Sequence, residues 1–336
     1  MSRKDDHLRE AMTQSIVPND FEGVRFVHPS LPTVNVANVD TSVELFHRRF
    51  AYPVYINAMT GGTRQAKAIN SRLGKLSARF GLMMASGSCS VAMNDPSTAH
   101  TFTPIRDENP EGFIAANIGV SAPVAYAQQA VDLLAANALQ VHLNAPQEVA
   151  MDEGDRDFTF WPDNLAAMVR AVNVPVIAKE VGFGMSRETM RRLQKLGVKH
   201  VDVSGRGGTN FIAVENARSA SPMEGFAAHG LSTVESLLEA REVDGMTVLA
   251  SGGVRHAYDV VKALALGAKA VGMSRFFLEC ARETSLATAV TRVETMLMDV
   301  KKIMAVLDCQ TVDALPRVAM IFSGELASFM RQRGLM

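Results

Sequence analysis

Short apolar runs alternate with amphipathic stretches along this chain with the regularity of repeated strand–helix units. The apolar runs, bounded by turn residues, predict strands at Val54–Met59, Leu82–Ala85, Phe113–Ile118, Leu139–Leu143, Val174–Ala178, His200–Val203, Thr247–Ala250 and Ala270–Met273. A period near 3.6 between them predicts helices at Lys67–Phe80, Val124–Ala136, Asn164–Val172, Arg187–Leu196, Val234–Arg241 and Tyr258–Leu266. The second interval is irregular, broken at Asp95-Pro96. Eight strands joined by right-handed crossovers would close into a (β/α)8 TIM barrel, an α/β fold of about 250 residues. A doubly wound sheet uses the same alternation and is the structural alternative.

Residues 1–50 and 284–336 lie outside the repeat, leaving 51–283 for the barrel. The first segment is expected to fold over the barrel mouth, and the last to form helices. Apolar spacing through Val290, Val293, Leu297, Val300 and Ile303 reads as core or subunit contact. Such C-terminal helices suit self-association, and a homo-oligomer, tetrameric or larger, is expected. No low-complexity linker divides the chain, so residues 1–336 are read as one domain.

Composition narrows the class. With 47% apolar and 21% charged residues the chain is ordinary for a globular protein. A formal net charge of -1 argues against a broad nucleic-acid-binding surface. No signal peptide is evident and no apolar run approaches the ~20 residues of a membrane span, so no membrane partner and a cytoplasmic location are expected. Cys89, Cys280 and Cys309 lack CxxC spacing, which argues against disulfides and structural zinc.

Polar strings follow several of the strands, which is how such barrels build a catalytic face. Ser251-Gly252-Gly253 and Ala270-Val-Gly-Met-Ser274-Arg275 suggest a phosphate cradle made by two adjacent loops. Ser204-Gly205-Arg206-Gly207-Gly208-Thr209 is a further glycine-rich loop whose spacing is not that of a dinucleotide fingerprint. Lys179 ends an apolar strand, where it needs an anion, a carboxylate or an electron-rich ring. Glu180 is the adjacent carboxylate, but neighbouring strand residues point to opposite faces. His142 and Asn144 share one strand face, with Gln147 and Glu148 close behind. Glu148 suits a Mg²⁺ held by one carboxylate, water and ligand phosphates. Arg3-Lys4-Asp5-Asp6-His7 reads by composition as a solvated terminus.

These strings together resemble the type 2, flavin-dependent isopentenyl-diphosphate isomerases. The resemblance is carried by Arg3–His7, Asn57-Ala-Met-Thr-Gly-Gly62, Gln140-Val-His-Leu-Asn-Ala-Pro-Gln-Glu148, Lys179-Glu-Val-Gly-Phe-Gly184, Asp202-Val-Ser-Gly-Arg-Gly-Gly-Thr-Asn-Phe211 and Ser251-Gly-Gly-Val-Arg255. It implies a TIM barrel that binds FMN and Mg²⁺, uses NADPH as reductant, and interconverts isopentenyl and dimethylallyl diphosphate. The chemistry implied is acid–base catalysis by reduced FMN without net redox change. Ala58, Met59, Thr60, Ser88 and Asn117 would line the flavin, Lys179 would lie near its ring, and Ser204 and Thr209 would contact the ring or ribityl chain. Gly253, Arg255, Ser274 and Arg275 would lie at or near its phosphate. Arg3, Lys4 and His7 would grip the substrate diphosphate, His142 and Asn144 would face the substrate, and Glu148 would hold Mg²⁺. Gln147 would sit near the reacting carbons, with Glu215. One departure stands out: many family members carry Arg two residues after the serine of the Gly-Ser motif, where this chain has Ser90 in Gly87-Ser88-Cys89-Ser90.

Two other readings compete. An FMN-dependent 2-hydroxy acid oxidase or dehydrogenase would need a catalytic His with late arginines, and His256 follows Arg255. A non-enzymatic phosphate-binding scaffold would tolerate loss of Gln147 or Glu148.

Overall fold

A computed structural model of the chain describes residues 13–14 and 19–336. In chain order the strands are β1 (Val24–Phe26), β2 (Val43–Leu45), β3 (Arg48–Phe50), β4 (Val54–Ile56), β5 (Met83–Ser88) and β6 (Ile114–Gly119). They continue as β7 (Ala138–Leu143), β8 (Val176–Glu180), β9 (His200–Asp202), β10 (Thr247–Ala250), β11 (Ala270–Met273) and β12 (Met320–Phe322). Strands β4 to β11 form a closed barrel of parallel neighbours, and β11 pairs with β4 through Val271 and Val54 to complete the ring. The eight barrel strands are those expected from the apolar runs, with small shifts at their ends.

Those shifts have local causes. β4 stops at Ile56 because the side chain of Asn57 accepts from the N–H of Ala58, 2.8 Å away, and turns the chain out of the ladder. β8 runs on through Lys179 and Glu180, paired in register with His142 and Leu143. A charged pair reads as a strand end, yet both side chains are buried here with partners of their own. The helix at Arg64–Phe80 begins a turn earlier than its periodicity suggests, because Thr63 caps the N–H of Ala66. It ends at Gly81, whose φ of 62° is the left-handed conformation that stops a helix.

Most buried side chains lie between the barrel and its surrounding helices. The irregular second interval resolves into short helices Ser90–Asn94 and Pro104–Asp107 around a 3₁₀ turn at Pro96–Thr101. In the 21-residue helix Leu286–Val306, Val293, Leu297 and Val300 are buried, and the helix packs on Ala257–Ala265. Of the stripe, Val290 and Ile303 are partly buried against the same core. The β1–β12 ribbon, antiparallel across almost the whole chain, has no counterpart in the sequence expectations.

Residues of the first fifty go to both ends of the barrel. Gln14 lines the cavity at the mouth, and the side-chain amide of Asn19 donates to the carbonyl of Gly253 at 2.6 Å. The β2–β3 hairpin closes the opposite end. Its Leu45 and Phe50 join Phe113 and the innermost barrel residues in one cluster.

Candidate active site

Alternation along the strands stacks the barrel interior in layers. The layer nearest the hairpin is largely apolar and includes Ala115, Ala138, Ile177, Leu249 and Ala270. Two residues further along, the same inward face carries Asn117, Gln140, Lys179, Ser251 and Gly272. Asn57 and Asp202 complete this second layer, and every side chain in it is buried. Asp202 is its hub. Its Oδ2 accepts from the Tyr55 hydroxyl at 2.6 Å and Asn57 Nδ2 at 3.1 Å. Its Oδ1 accepts from the Ser251 hydroxyl at 2.6 Å and the N–H of Ser204 at 3.2 Å. Burial and the neighbouring carboxylate push the Tyr55 phenol far above its usual range, which keeps it a neutral donor. Gly272 makes this possible, because a Cβ there would lie 2.5 Å from the Tyr55 ring.

Lys179 reaches the cavity wall from this layer. Its Nζ donates to the Ser204 hydroxyl at 3.0 Å and to the main-chain oxygen of Glu180. Burial lowers its pKa, and the charges of Asp202 and Glu180 oppose that. The Glu180 carboxylate points elsewhere: Oε2 accepts the N–H groups of Val181, Gly182 and Phe183 at 2.6, 2.8 and 2.6 Å.

At the mouth, the loops after β9 and β10 pack backbone against backbone. A Cβ on Gly252 would lie 2.1 Å from the Gly205 carbonyl, and its φ of 91° already excludes most side chains. Arg255 donates to the Gly207 carbonyl at 3.3 Å and lies 3.6 Å from Glu22. Arg275 lies 3.5 Å from Glu279 and donates to the Gln14 carbonyl at 3.4 Å.

Opposite these cations is the short helix Ala145–Ala150, which follows β7 directly. Asn144 Nδ2 donates to Glu148 Oε1 at 2.7 Å, and the N–H of Asp155 donates to Oε2 at 2.9 Å. Arg156 clamps this loop by donating to the carbonyls of Glu148 and Gly154 at 2.7 Å each, and of Met151 at 2.6 Å. Gln147 Nε2 donates to Glu215 Oε1 at 2.8 Å, and Arg218 donates to the other oxygen of Glu215 at 2.8 Å. Since a carboxylate only accepts, the Gln147 amide nitrogen must face Glu215, which leaves Oε1 on its other edge.

The cavity bounded by these groups measures about 330 Å³, within the range of small-molecule sites. Of the residues expected around a flavin, Ala58, Met59, Thr60, Ser88, Asn117, Lys179, Ser204, Thr209, Gly253, Arg255, Ser274 and Arg275 all line it. So do His142, Asn144, Gln147 and Glu148. Glu215 is buried behind Gln147 rather than on the wall. Arg3, Lys4 and His7 lie outside the described residues. Ser90 receives a hydrogen bond from Ser88 at 3.2 Å. His256 caps the helix Ala257–Ala265 and is not part of the wall. Among the described residues no group of three metal-binding side chains occurs.

Sequence reasoning gave no site role to Tyr55, Asn57, Gln140 and Asp202, and placed Ser251 in a phosphate cradle rather than on Asp202. Their period-2 spacing with the apolar layer was the available signal. Gln14 was missed as well. Its side chain forms a pair of 2.9 Å hydrogen bonds with the main chain of Asn210, and no local pattern announces such a contact.

Glycine-rich loops with two arginines and a buried lysine, set in a closed (β/α)8 barrel, suit a phosphate-bearing cofactor. The FMN-dependent dehydrogenase family model matches residues 112–321. Two solved structures share the fold. A flavocytochrome b2 variant with pyruvate bound is 20% identical, with a TM-score of 0.68 over 97% of this chain and 81% of that one. A mandelate oxidase variant with 2-hydroxy-phenylacetamide is 18% identical, with a TM-score of 0.63 over 96% and 91%. Curated proteins named isopentenyl-diphosphate delta-isomerase from Staphylococcus aureus, strains Newman and JH9, are each 48% identical over 99% of this chain and 96% of theirs. The chain belongs to the FMN-dependent isopentenyl-diphosphate delta-isomerase family.

The donor set suits FMN: two arginines and tight glycine turns for its phosphate, Ala58 and Met59 as apolar wall, and Lys179 as a cation for the ring. A lone Glu148 beside Asn144 suits a Mg²⁺ whose other ligands are water and phosphate.

Proposed function

We propose that this protein interconverts isopentenyl and dimethylallyl diphosphate by acid–base catalysis with reduced FMN. The observation that carries the reading is that one cavity joins the flavin-type wall to His142, Asn144, Gln147 and Glu148. Moving a double bond by one carbon needs a proton delivered to an unactivated alkene and another removed beside the cationic centre. When bound, reduced FMN supplies an electron-rich ring that stabilises the developing cation and exchanges protons at its nitrogens.

The chain's own residues then have separable tasks. Arg255, Arg275, Ser274 and Gly253 hold the flavin phosphate, while Ser204, Thr209 and Asn117 fix the ring and ribityl chain. Lys179, held by Ser204, sets the charge beside the ring. Arg3, Lys4 and His7 bind the substrate diphosphate, with His142 and Asn144 facing it. Glu148 holds Mg²⁺ on that diphosphate, kept in place by Asn144 and Asp155. Gln147 lies against the reacting carbons, oriented by Glu215. NADPH is the reductant that prepares the flavin. The protein is assigned to the cytoplasm as a homo-oligomer, tetrameric or larger; among the described residues no helix is long and apolar enough to cross a membrane.

The test is anaerobic incubation with isopentenyl diphosphate, Mg²⁺, FMN and NADPH in D₂O, followed by proton NMR. Deuterated dimethylallyl diphosphate is expected, formed only with reduced flavin. No product from flavin-loaded, reduced protein would reject the isomerase and direct attention to 2-hydroxy acids as reductants of the flavin.

A further inference from the structure

The buried second layer is directional. Asp202 as a carboxylate only accepts, so Asn57 must turn its Nδ2 toward it, and the 3.1 Å contact fixes that amide. Asn57 Oδ1 then accepts from the N–H of Ala58 at 2.8 Å and faces Gln140 Nε2 at 3.5 Å. With its nitrogen so placed, Gln140 presents Oε1 to Asn117 Nδ2 at 2.8 Å. Asn117 is thereby left with Oδ1 against His142 Nδ1, 2.9 Å away. Flipping Asn57 or Gln140 would set like atoms against each other at two contacts or more, and flipping Asn117 would turn its Oδ1 onto Gln140 Oε1, inside a layer where water cannot compensate. The 3.5 Å step acts by orientation more than as a strong bond.

An oxygen that can only accept requires a proton on the nitrogen it meets. We propose that Asp202 is a positioning residue that, through Asn57, Gln140 and Asn117, holds His142 as the Nδ1–H tautomer. The ring then gains and loses its proton at Nε2 alone. That nitrogen lies beside Gly119, where a Cβ would approach it to 3.1 Å, so the absence of a side chain keeps room around it. The tautomer does not depend on the isomerase reading. Only the meaning of Nε2, as the atom that meets the substrate, rests on it.

The experiment is two-bond ¹H–¹⁵N correlation on the oxidised, FMN-loaded protein labelled with ¹⁵N-histidine, with His142→Gln to assign the resonances. Wild type is expected to show, in the neutral ring, Nδ1 protonated and Nε2 unprotonated. Gln140→Leu removes the acceptor that orients Asn117, and roughly half the Nδ1–H population should pass to the other tautomer. Asn117→Asp keeps an accepting oxygen opposite the ring and should retain Nδ1–H, which a purely structural role for the layer would not predict. Asp202→Asn should produce a smaller loss than Gln140→Leu, because Ala58 still holds Asn57. An Nε2–H signal in the wild type, or an unchanged tautomer in Gln140→Leu, overturns the proposal. Should Gln140→Leu fail to fold, the wild-type spectrum together with Asp202→Asn decides the matter. The predicted tautomer pattern without isomerase turnover would leave the relay standing and reject the functional reading instead.

Discussion

The two ends of the barrel solve opposite problems with the same strands. At the hairpin end, Phe46 stacks on Phe113 with ring centroids 5.2 Å apart and meets His200 edge-on at 4.9 Å. Burial above all, with the nearby Lys199 charge, lowers the His200 pKa, and its Nδ1 is buried without a partner. Phe46 and His47 form the two-residue turn with φ of 55° and 58°, a conformation glycine and asparagine adopt more readily. Strain and an unmet nitrogen are tolerated there because aromatic packing outweighs them. At the other end buried polar atoms are chained together and glycines replace bulk. One residue pair of strand separates apolar filler from directional chemistry, so the floor should govern stability and the mouth should govern ligands.

The sharpest way to break that division is Gly252→Ala. The new Cβ would lie 2.1 Å from the Gly205 carbonyl, and two backbones cannot separate without opening the loops that carry Arg255 and Thr209. FMN affinity should fall by about 100-fold or more, corresponding to roughly 3 kcal/mol, as read by flavin fluorescence titration. Circular dichroism should still report a folded barrel. Phe46→Ala should do the reverse: a loss of about 2–4 kcal/mol in unfolding free energy, with the FMN dissociation constant unchanged. If Phe46→Ala weakened FMN as much as Gly252→Ala, the two ends would not be separable.

Within the mouth a smaller effect distinguishes cofactor from substrate. Glu148→Gln should leave FMN binding intact and raise the Mg²⁺ concentration needed for half-maximal turnover by about 10–100-fold. Arg156→Ala should move the same quantity in the same direction by less, since it loosens the loop that presents Asp155 to Glu148. Lost FMN binding in Glu148→Gln would assign that carboxylate to the flavin.

What the sequence made legible follows the same line. The barrel was readable because each strand lies in a mainly apolar run, and the cavity because glycines, His142 and Glu148 stand at strand ends. The rest of the second layer, beyond Asn117, Lys179 and Ser251, was hidden by the strands themselves. Gln140 and Asp202 sit inside or beside apolar runs, and a single polar residue there does not disturb the run enough to register. Phe46-His47 was equally silent, since nothing in those side chains announces a turn with two positive φ angles. Contacts such as β1 with β12 or Asn19 with Gly253 join residues more than two hundred positions apart, beyond any local pattern.

The mildest test concerns Glu180, which borders the mouth without lining it. Burial pushes its carboxyl up to about 7 from 4.5, against the opposing pull of three main-chain N–H groups and Lys179. An acid whose pKa is raised by folding binds more protons folded than unfolded across that interval. Its contribution is therefore favourable below about 4.5 and is lost as pH rises through about 7. All three N–H groups converge on a single oxygen, so one glutamine carbonyl can accept them in its place. Glu180→Gln should consequently flatten the fall of Tm between about pH 5 and 8, gaining roughly 1–3 kcal/mol on wild type over that range. Equal destabilisation of the variant at both ends of the range would mean that the nest requires the negative charge. Lys179 would then depend on Glu180 as well as on Asp202 to remain an ammonium at the cavity wall.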